Sequence, residues 1–68
     1  MVYYYSFKSS KYVAYTNDGE YYYSPGGEYI GYLNGNYIYS QSGKVIGYFD
    51  NNKNSLYSQD GQPLWYKG

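Results

Sequence analysis

One pattern occurs four times in this chain, and it decides what the chain can fold into. Residues 39–48 read Tyr-Ser-Gln-Ser-Gly-Lys-Val-Ile-Gly-Tyr. Residues 23–32 read Tyr-Ser-Pro-Gly-Gly-Glu-Tyr-Ile-Gly-Tyr, and residues 57–66 read Tyr-Ser-Gln-Asp-Gly-Gln-Pro-Leu-Trp-Tyr. A looser copy at residues 5–15 carries one extra residue and has Ser10 in place of the glycine. Each copy opens on Tyr-Ser, turns, passes an aliphatic residue (Val13, Ile30, Ile46 or Leu64) and closes on tyrosine. Recurrence at a fixed period means one supersecondary unit used repeatedly.

The unit is built from strands. No segment places apolar residues at three-and-four spacing, and Gly, Asn and Ser interrupt the chain at short intervals. Short runs of Tyr, Val and Ile between such residues read as β-strands. The runs predict strands at residues 2–5, 11–16, 20–23, 28–33, 36–39, 44–49, 55–57 and 62–66. Two kinds of turn alternate between them. Asn17-Asp18-Gly19, Asn34-Gly35 and residues 50–54 form the first kind, and Asn-Gly is a strong short hairpin signal. The Ser-x-x-Gly turns form the second, with glycine suited to a left-handed last position. A two-residue Asn34-Gly35 loop would pair Leu33 with Asn36, Tyr32 with Tyr37 and Ile30 with Tyr39. A four-residue loop from Ser40 to Gly43 would pair Tyr39 with Lys44 and Tyr37 with Ile46.

The repeat also predicts closure. The opening tyrosines are Tyr5, Tyr23, Tyr39 and Tyr57, spaced 18, 16 and 18 residues apart. The repeats fall at about 5–22, 23–38, 39–56, and 57–68 completed by 1–4, so that all 68 residues form a single domain. The N-terminal strand should therefore lie beside residues 62–66 and complete the last repeat. Closure removes both sheet edges, which tyrosine-rich strands would otherwise offer for aggregation. The expected fold is all-β: eight short antiparallel strands, arranged as four hairpin repeats in a closed, shallow, pseudo-four-fold barrel.

The Tyr-Ser-x-x-Gly-Lys-x-Ile-Gly-Tyr-Phe pattern at residues 39–49, its neighbouring copies and the split terminal repeat resemble the four-fold β-flower domains of bacterial proteins. The resemblance covers the whole chain and rests on the recurrence more than on any single motif. It implies the same closed ring of hairpins and no particular activity. The chain departs from the pattern in its first copy, in the long turn at residues 50–54, and in Trp65 where Gly31 and Gly47 stand in other copies.

Alternation does not by itself choose the interior, because both faces are apolar. One face carries Val13, Ile30, Ile46 and Leu64 with most of the tyrosines; the other carries Ala14, Gly31, Gly47 and Trp65 with Tyr4, Tyr22, Ile38 and Leu56. Four equivalent side chains meeting near an axis should match in size, which places the aliphatic ring inside and Trp65 outside. Volume argues the other way: some eleven tyrosines crowd a small barrel, and glycines would relieve it.

A chain this short buries only about 60% of its unfolded surface, so a small fold of this kind needs a staple. With 0 cysteines and 0 histidines, disulfides and the usual zinc sites are excluded. Ring closure and dense packing of 15 tyrosines remain. The same absences remove the usual catalytic base and nucleophile, and the carboxylates fall mainly in turns. The chain is therefore read as non-catalytic, with no cofactor and no metal. It has no apolar run of the roughly 20 residues that a membrane-spanning helix needs, and its start does not read as a signal peptide, so a cytoplasmic location is the default expectation.

Three binding readings follow. The first is a small interaction module that presents aromatic side chains to a protein partner or to itself, with Tyr12, Tyr29, Phe49 and Trp65 as a flat stacking patch beside Gly31 and Gly47. The second is a protein that sequesters a small ligand, a nucleotide-like anion for instance, in a tyrosine-lined mouth with Lys8, Lys11 and Lys44 nearby. The third is single-stranded nucleic-acid binding by stacking, against which the net charge of +0 argues.

Overall fold

The computed structural model describes residues 1–68. Its eight strands are β1 (Val2–Ser6), β2 (Tyr12–Thr16), β3 (Tyr21–Tyr23), β4 (Tyr29–Asn34), β5 (Tyr37–Ser40), β6 (Val45–Phe49), β7 (Ser55–Tyr57) and β8 (Pro63–Lys67). They form one closed antiparallel barrel in chain order, measuring 28 × 26 × 20 Å. Head and tail meet as the repeat requires: Tyr4 pairs with Lys67, Tyr5 with Tyr66 and Ser6 with Trp65. Gly68 N–H donates to the Tyr3 carbonyl at 2.9 Å, and Phe7 N–H to the Leu64 carbonyl at 3.0 Å. No free sheet edge remains.

The Ser-x-x-Gly turns close three of the four hairpins with the same geometry. Gly27, Gly43 and Gly61 each donate their N–H to the carbonyl of Ser24, Ser40 or Ser58 at 2.9 Å. The serine hydroxyl then accepts the N–H of Glu28, Lys44 or Gln62 at 3.1–3.2 Å. The glycines sit at φ 88–90°, which a Cβ disfavours. In the first hairpin the extra residue lengthens the turn, Ser10 donates to the Ser6 carbonyl at 2.8 Å, and Ser10 itself takes φ 60°.

The strand register differs from the expected one, for two reasons. The β4–β5 loop is Gly35-Asn36, so that Asn34 pairs with Tyr37, Leu33 with Ile38 and Tyr32 with Tyr39. Gly35 holds φ 68° while Asn36 stays at negative φ. Positive φ at the first central position alone is the mark of a type II′ turn, in which glycine leads. Secondly, every hairpin carries a β-bulge. In β5–β6, Ile38 pairs with Gly47 and Tyr39 with Val45, which leaves Ile46 as the extra residue. Val13, Ile30 and Leu64 are the extra residues of the other three hairpins. The recurring aliphatic is thus the bulge residue, and four bulges supply the added twist that closes so small a ring. All four pack, partly buried, against the core.

The interior is the face carrying the glycines, contrary to the expectation from matching sizes. The core is Tyr4, Ala14, Tyr22, Ile38, Phe49 and Leu56, and the exposed large side chains include Tyr3, Tyr21, Tyr29 and Tyr37. Equal sizes around the axis are unnecessary because a large residue faces a small one across the first three hairpins, and in the fourth the smaller Leu56 is matched by a larger partner. Tyr4 faces Ala14, Tyr22 faces Gly31, Ile38 faces Gly47, and Leu56 faces Trp65. Volume decides the matter: of the 15 tyrosines only Tyr4 and Tyr22 are buried. Trp65 is half-buried against the core, 6.0 Å from the Tyr4 ring and directly opposite Leu56. Each fully buried aliphatic or aromatic side chain contributes about 1.5–3 kcal/mol.

Candidate functional site

The outer wall of the barrel is a continuous layer of tyrosine. Strand alternation puts Tyr3 and Tyr5 opposite in facing to Tyr4, and Tyr21 and Tyr23 opposite to Tyr22. Where two hairpins meet, the directly paired residues are both tyrosine: Tyr5 with Tyr66, Tyr15 with Tyr23, Tyr32 with Tyr39, and Tyr48 with Tyr57. Their ring centroids lie 5.5–5.7 Å apart at interplanar angles of 15–33°. Every junction in the ring is therefore covered on its solvent side by an offset tyrosine pair, an arrangement worth about 0.5–1.5 kcal/mol beyond area burial.

Within the hairpins these pairs are linked by further rings. In the first hairpin Tyr12 meets Tyr3 edge-on at 5.3 Å and Tyr5 at 6.1 Å, and Tyr3 reaches Tyr15 at 6.5 Å. In the second, Tyr29 lies 6.3 Å from Tyr21 and 6.0 Å from Tyr23. Desolvation raises the phenol pKa of Tyr12, with smaller contributions from Tyr3, Tyr15 and Tyr5. The Tyr29 phenol is raised in the same way, by desolvation first and then by Tyr21, Tyr32 and Tyr23. Two tyrosine tetrads result at equivalent strand positions: Tyr3, Tyr5, Tyr12 and Tyr15, and Tyr21, Tyr23, Tyr29 and Tyr32, the last joined to its tetrad by strand pairing with Tyr21 while its ring stacks on Tyr39. The third hairpin breaks the tetrad with Val45, and the fourth with Ser55 and Pro63.

The stacking patch expected from sequence is not one surface. Tyr12 and Tyr29 lie on the outer wall, in different tetrads. Phe49 is only 2% exposed and lies in the core, 5.4 Å from the Tyr4 ring and 5.9 Å from that of Tyr22. Trp65 packs inward as described. The reason is the inverted face assignment, since Phe49 and Trp65 share the side of Leu56. Gly31 and Gly47 do not open a landing place for a ligand either: both are buried beneath neighbouring backbone. Sequence reasoning missed Tyr3, Tyr21 and Tyr37, which are 41–48% exposed. The volume argument, followed through, would have found them.

The three lysines of the anion reading are exposed at the Ser-x-x-Gly end of the barrel. Lys8 and Lys11 flank the first turn and Lys44 follows the third, so they belong to hairpins across the ring from one another. The barrel interior holds Tyr4, Tyr22, Ile38, Leu56 and Phe49 in place of a ligand cavity. Two buried phenols lie within it. The Tyr4 hydroxyl donates to the Lys53 carbonyl at 3.1 Å. Burial pushes the Tyr22 phenol well up, and the adjacent Tyr4 hydroxyl adds to the rise. At the other end, Asp18 accepts N–H groups from Glu20 at 2.9 Å and Tyr21 at 3.0 Å. Those bonds, Tyr21 first, hold its carboxyl below the usual range. No group of carboxylates converges as a metal site would require, and no helix is long and apolar enough to cross a membrane.

The family follows from the repeat geometry and from one match. A family model described as "4-fold beta flower protein" aligns with residues 4–67. This chain belongs to the four-fold β-flower family. The match runs from the buried tyrosine of β1 to the last residue of β8, so it includes the ring closure as well as the four hairpins. No curated protein and no solved structure matches the chain. Membership carries the architecture, and the β-flower family brings no defined biochemical role with it.

Proposed function

We propose that this β-flower domain is a non-catalytic binding module that docks a protein partner, or a second copy of itself, through its tyrosine wall. The observation behind this reading is the division of the tyrosines. Two fill the core, and the rest form a packed outer layer in which Tyr3, Tyr21, Tyr29 and Tyr37 stand exposed. Packing needs do not call for so much aromatic surface in water. Tyrosine offers rigid apolar area with a polar tip at low entropic cost, which is why it is concentrated in binding hot spots. The rings are braced by their neighbours, so little side-chain freedom is lost on docking. The filled interior favours the outside of the barrel over its mouth as the place where a ligand would bind.

The fourth hairpin supplies the test. Ser55 occupies the place of Tyr3, Tyr21 and Tyr37, so the fold accepts serine there. The triple variant Tyr3→Ser, Tyr21→Ser, Tyr37→Ser should keep its far-ultraviolet dichroism. Native mass spectrometry of the wild-type protein purified from its own host should show a stoichiometric protein partner or a homo-oligomer, and the triple variant should not. Recovery of an empty wild-type monomer, or unchanged association by the triple variant, would rule out the reading.

A further inference from the structure

The four quadrants of the barrel are alike in backbone and unlike in charge. No cation occurs between Lys11 and Lys44, whereas Asp18, Glu20 and Glu28, three of the chain's five carboxylates, fall in that interval. The interval carries the second tetrad. Glu20 immediately precedes Tyr21, and Glu28 immediately precedes Tyr29. Because Tyr21 pairs with Tyr32 and Tyr23 with Tyr29, the two glutamates bracket the tetrad at its two ends along the strands. Both are exposed. Asp18, fixed to the Tyr21 N–H, adds a third negative charge at the Glu20 end. The first tetrad has the opposite setting: Lys11 precedes Tyr12 and Val2 precedes Tyr3. The third and fourth quadrants place Lys44 and Gln62 where Glu28 stands. A protein of zero net charge thus concentrates its negative charge around one complete aromatic cluster.

Aromatic faces carry negative electrostatic potential and attract cations, and arginine most often fills that role in proteins. A guanidinium is planar and weakly hydrated, so it stacks on a ring while its N–H fork meets carboxylates. We propose that the second tetrad, Tyr21, Tyr23, Tyr29 and Tyr32, with Glu20 and Glu28 at its ends, receives an arginine side chain of a protein partner. The inference rests on the outer-wall reading above and names the chemistry of the contact. Tyr29 and Tyr21 are the most exposed members, at 37% and 45%, so they supply the stacking faces. The glutamates steer the cation and accept its N–H groups.

Three blocked pentapeptides test this, Gly-Gly-X-Gly-Gly with arginine, lysine or the neutral isostere citrulline at X. Each is titrated into the isotopically labelled full chain while backbone amide shifts are followed. The arginine peptide should shift the amides of residues 20–33 saturably, and more strongly at low salt. Lysine, a strongly hydrated point charge that cannot stack, should bind more weakly than arginine, and citrulline, which lacks the cation, should bind weakest, by roughly two- to fivefold or more, the size of an exposed cation–π contact. Glu28→Lys reproduces the charge found at Lys11 and Lys44 and should abolish the preference for arginine over citrulline. Tyr29→Val reproduces Val45 and should weaken binding without unfolding the chain; if it unfolds, Glu28→Lys alone decides. Equal shifts in the first tetrad, equal affinity for citrulline, or no saturable shift would overturn the proposal. Loss of partner in the triple serine variant, together with no arginine binding, would sink this inference and leave the broader one standing. Retention of partner by that variant would sink the broader one.

Discussion

Replacing Gly31 by alanine should unfold much of the population, although it adds a single methyl group. A Cβ built there stands 1.9 Å from the Tyr39 carbonyl oxygen and 2.9 Å from its carbon. Both atoms are backbone, so no side chain can swing aside. The neighbouring strand would have to retreat by more than an ångström, and that strand is tied down on both sides. Tyr39 pairs with Tyr32 across one ladder and with Val45 across the other. Overpacking of this kind costs about 1–3 kcal/mol even where side chains can adjust, and a rigid backbone contact belongs at or above the top of that range. A single core in a chain under 80 residues rarely supplies more than about 3–5 kcal/mol.

Gly26→Ala is the matched control. Nothing lies within 4 Å of its added Cβ and its φ is not in the left-handed region, so its effect should stay within about 0.5 kcal/mol. Urea titrations of both variants, followed by far-ultraviolet dichroism, would separate them. The reasoning fails if Gly31→Ala melts with Gly26→Ala. It fails equally if the ladder bond from Gln41 N–H to the Ile30 carbonyl, 3.2 Å in the native chain, keeps its protection from hydrogen exchange in the variant.

Three other outcomes follow from the same geometry. Deleting residues 1–5 removes all of β1 but Ser6 and leaves β2 and β8 as open edges, so the truncated chain should lose its cooperative thermal transition; an unchanged melt would refute ring closure. Ile38→Ala removes a side chain that is 0% exposed, and urea denaturation should show a loss of about 2–5 kcal/mol. Tyr4 and Tyr22 have raised phenol pKa values, so the folded state holds those protons more tightly than the unfolded chain. Their contribution is complete below about pH 10, the ordinary tyrosine value, and is lost as pH climbs toward their folded values. Melting temperatures between pH 8 and pH 11.5 should therefore fall at the alkaline end, and less steeply in Tyr22→Phe.

The parts of this fold legible in the sequence are those set by turns and by counting. Gly27, Gly43 and Gly61 mark the hairpin ends because only a left-handed residue closes that loop. The spacing of Tyr5, Tyr23, Tyr39 and Tyr57 marks the ring because the last repeat is one strand short without the N-terminus. The bulges were not legible. Val45 and Ile46 read as consecutive strand residues, and nothing local says that Ile46 has no partner. That slip moves the aliphatic ring and, with the face assignment, reverses inside and outside. Phe49 shows the cost: in a shallow barrel whose two faces are both apolar, its side can be decided only by how much volume the closed ring holds.

The positions where the repeats agree and those where they differ do separate work. Turn serines, turn glycines and junction tyrosines recur because every hairpin must close and every junction must be covered. The differences are not uniform in kind. Those facing inward compensate one another in volume, as Trp65 does for the smaller Leu56 beside it. Those facing outward need no compensation, and a wall built only for packing would leave their charges unsorted. The acids at Asp18, Glu20 and Glu28 are instead gathered on one of two complete tyrosine clusters, and the other has Lys11 at the place of Glu28. A ring that is four-fold in structure and one-fold in charge presents a single distinct face. If that face has a partner, its recognition is written in residues 18–32 and not in the repeat.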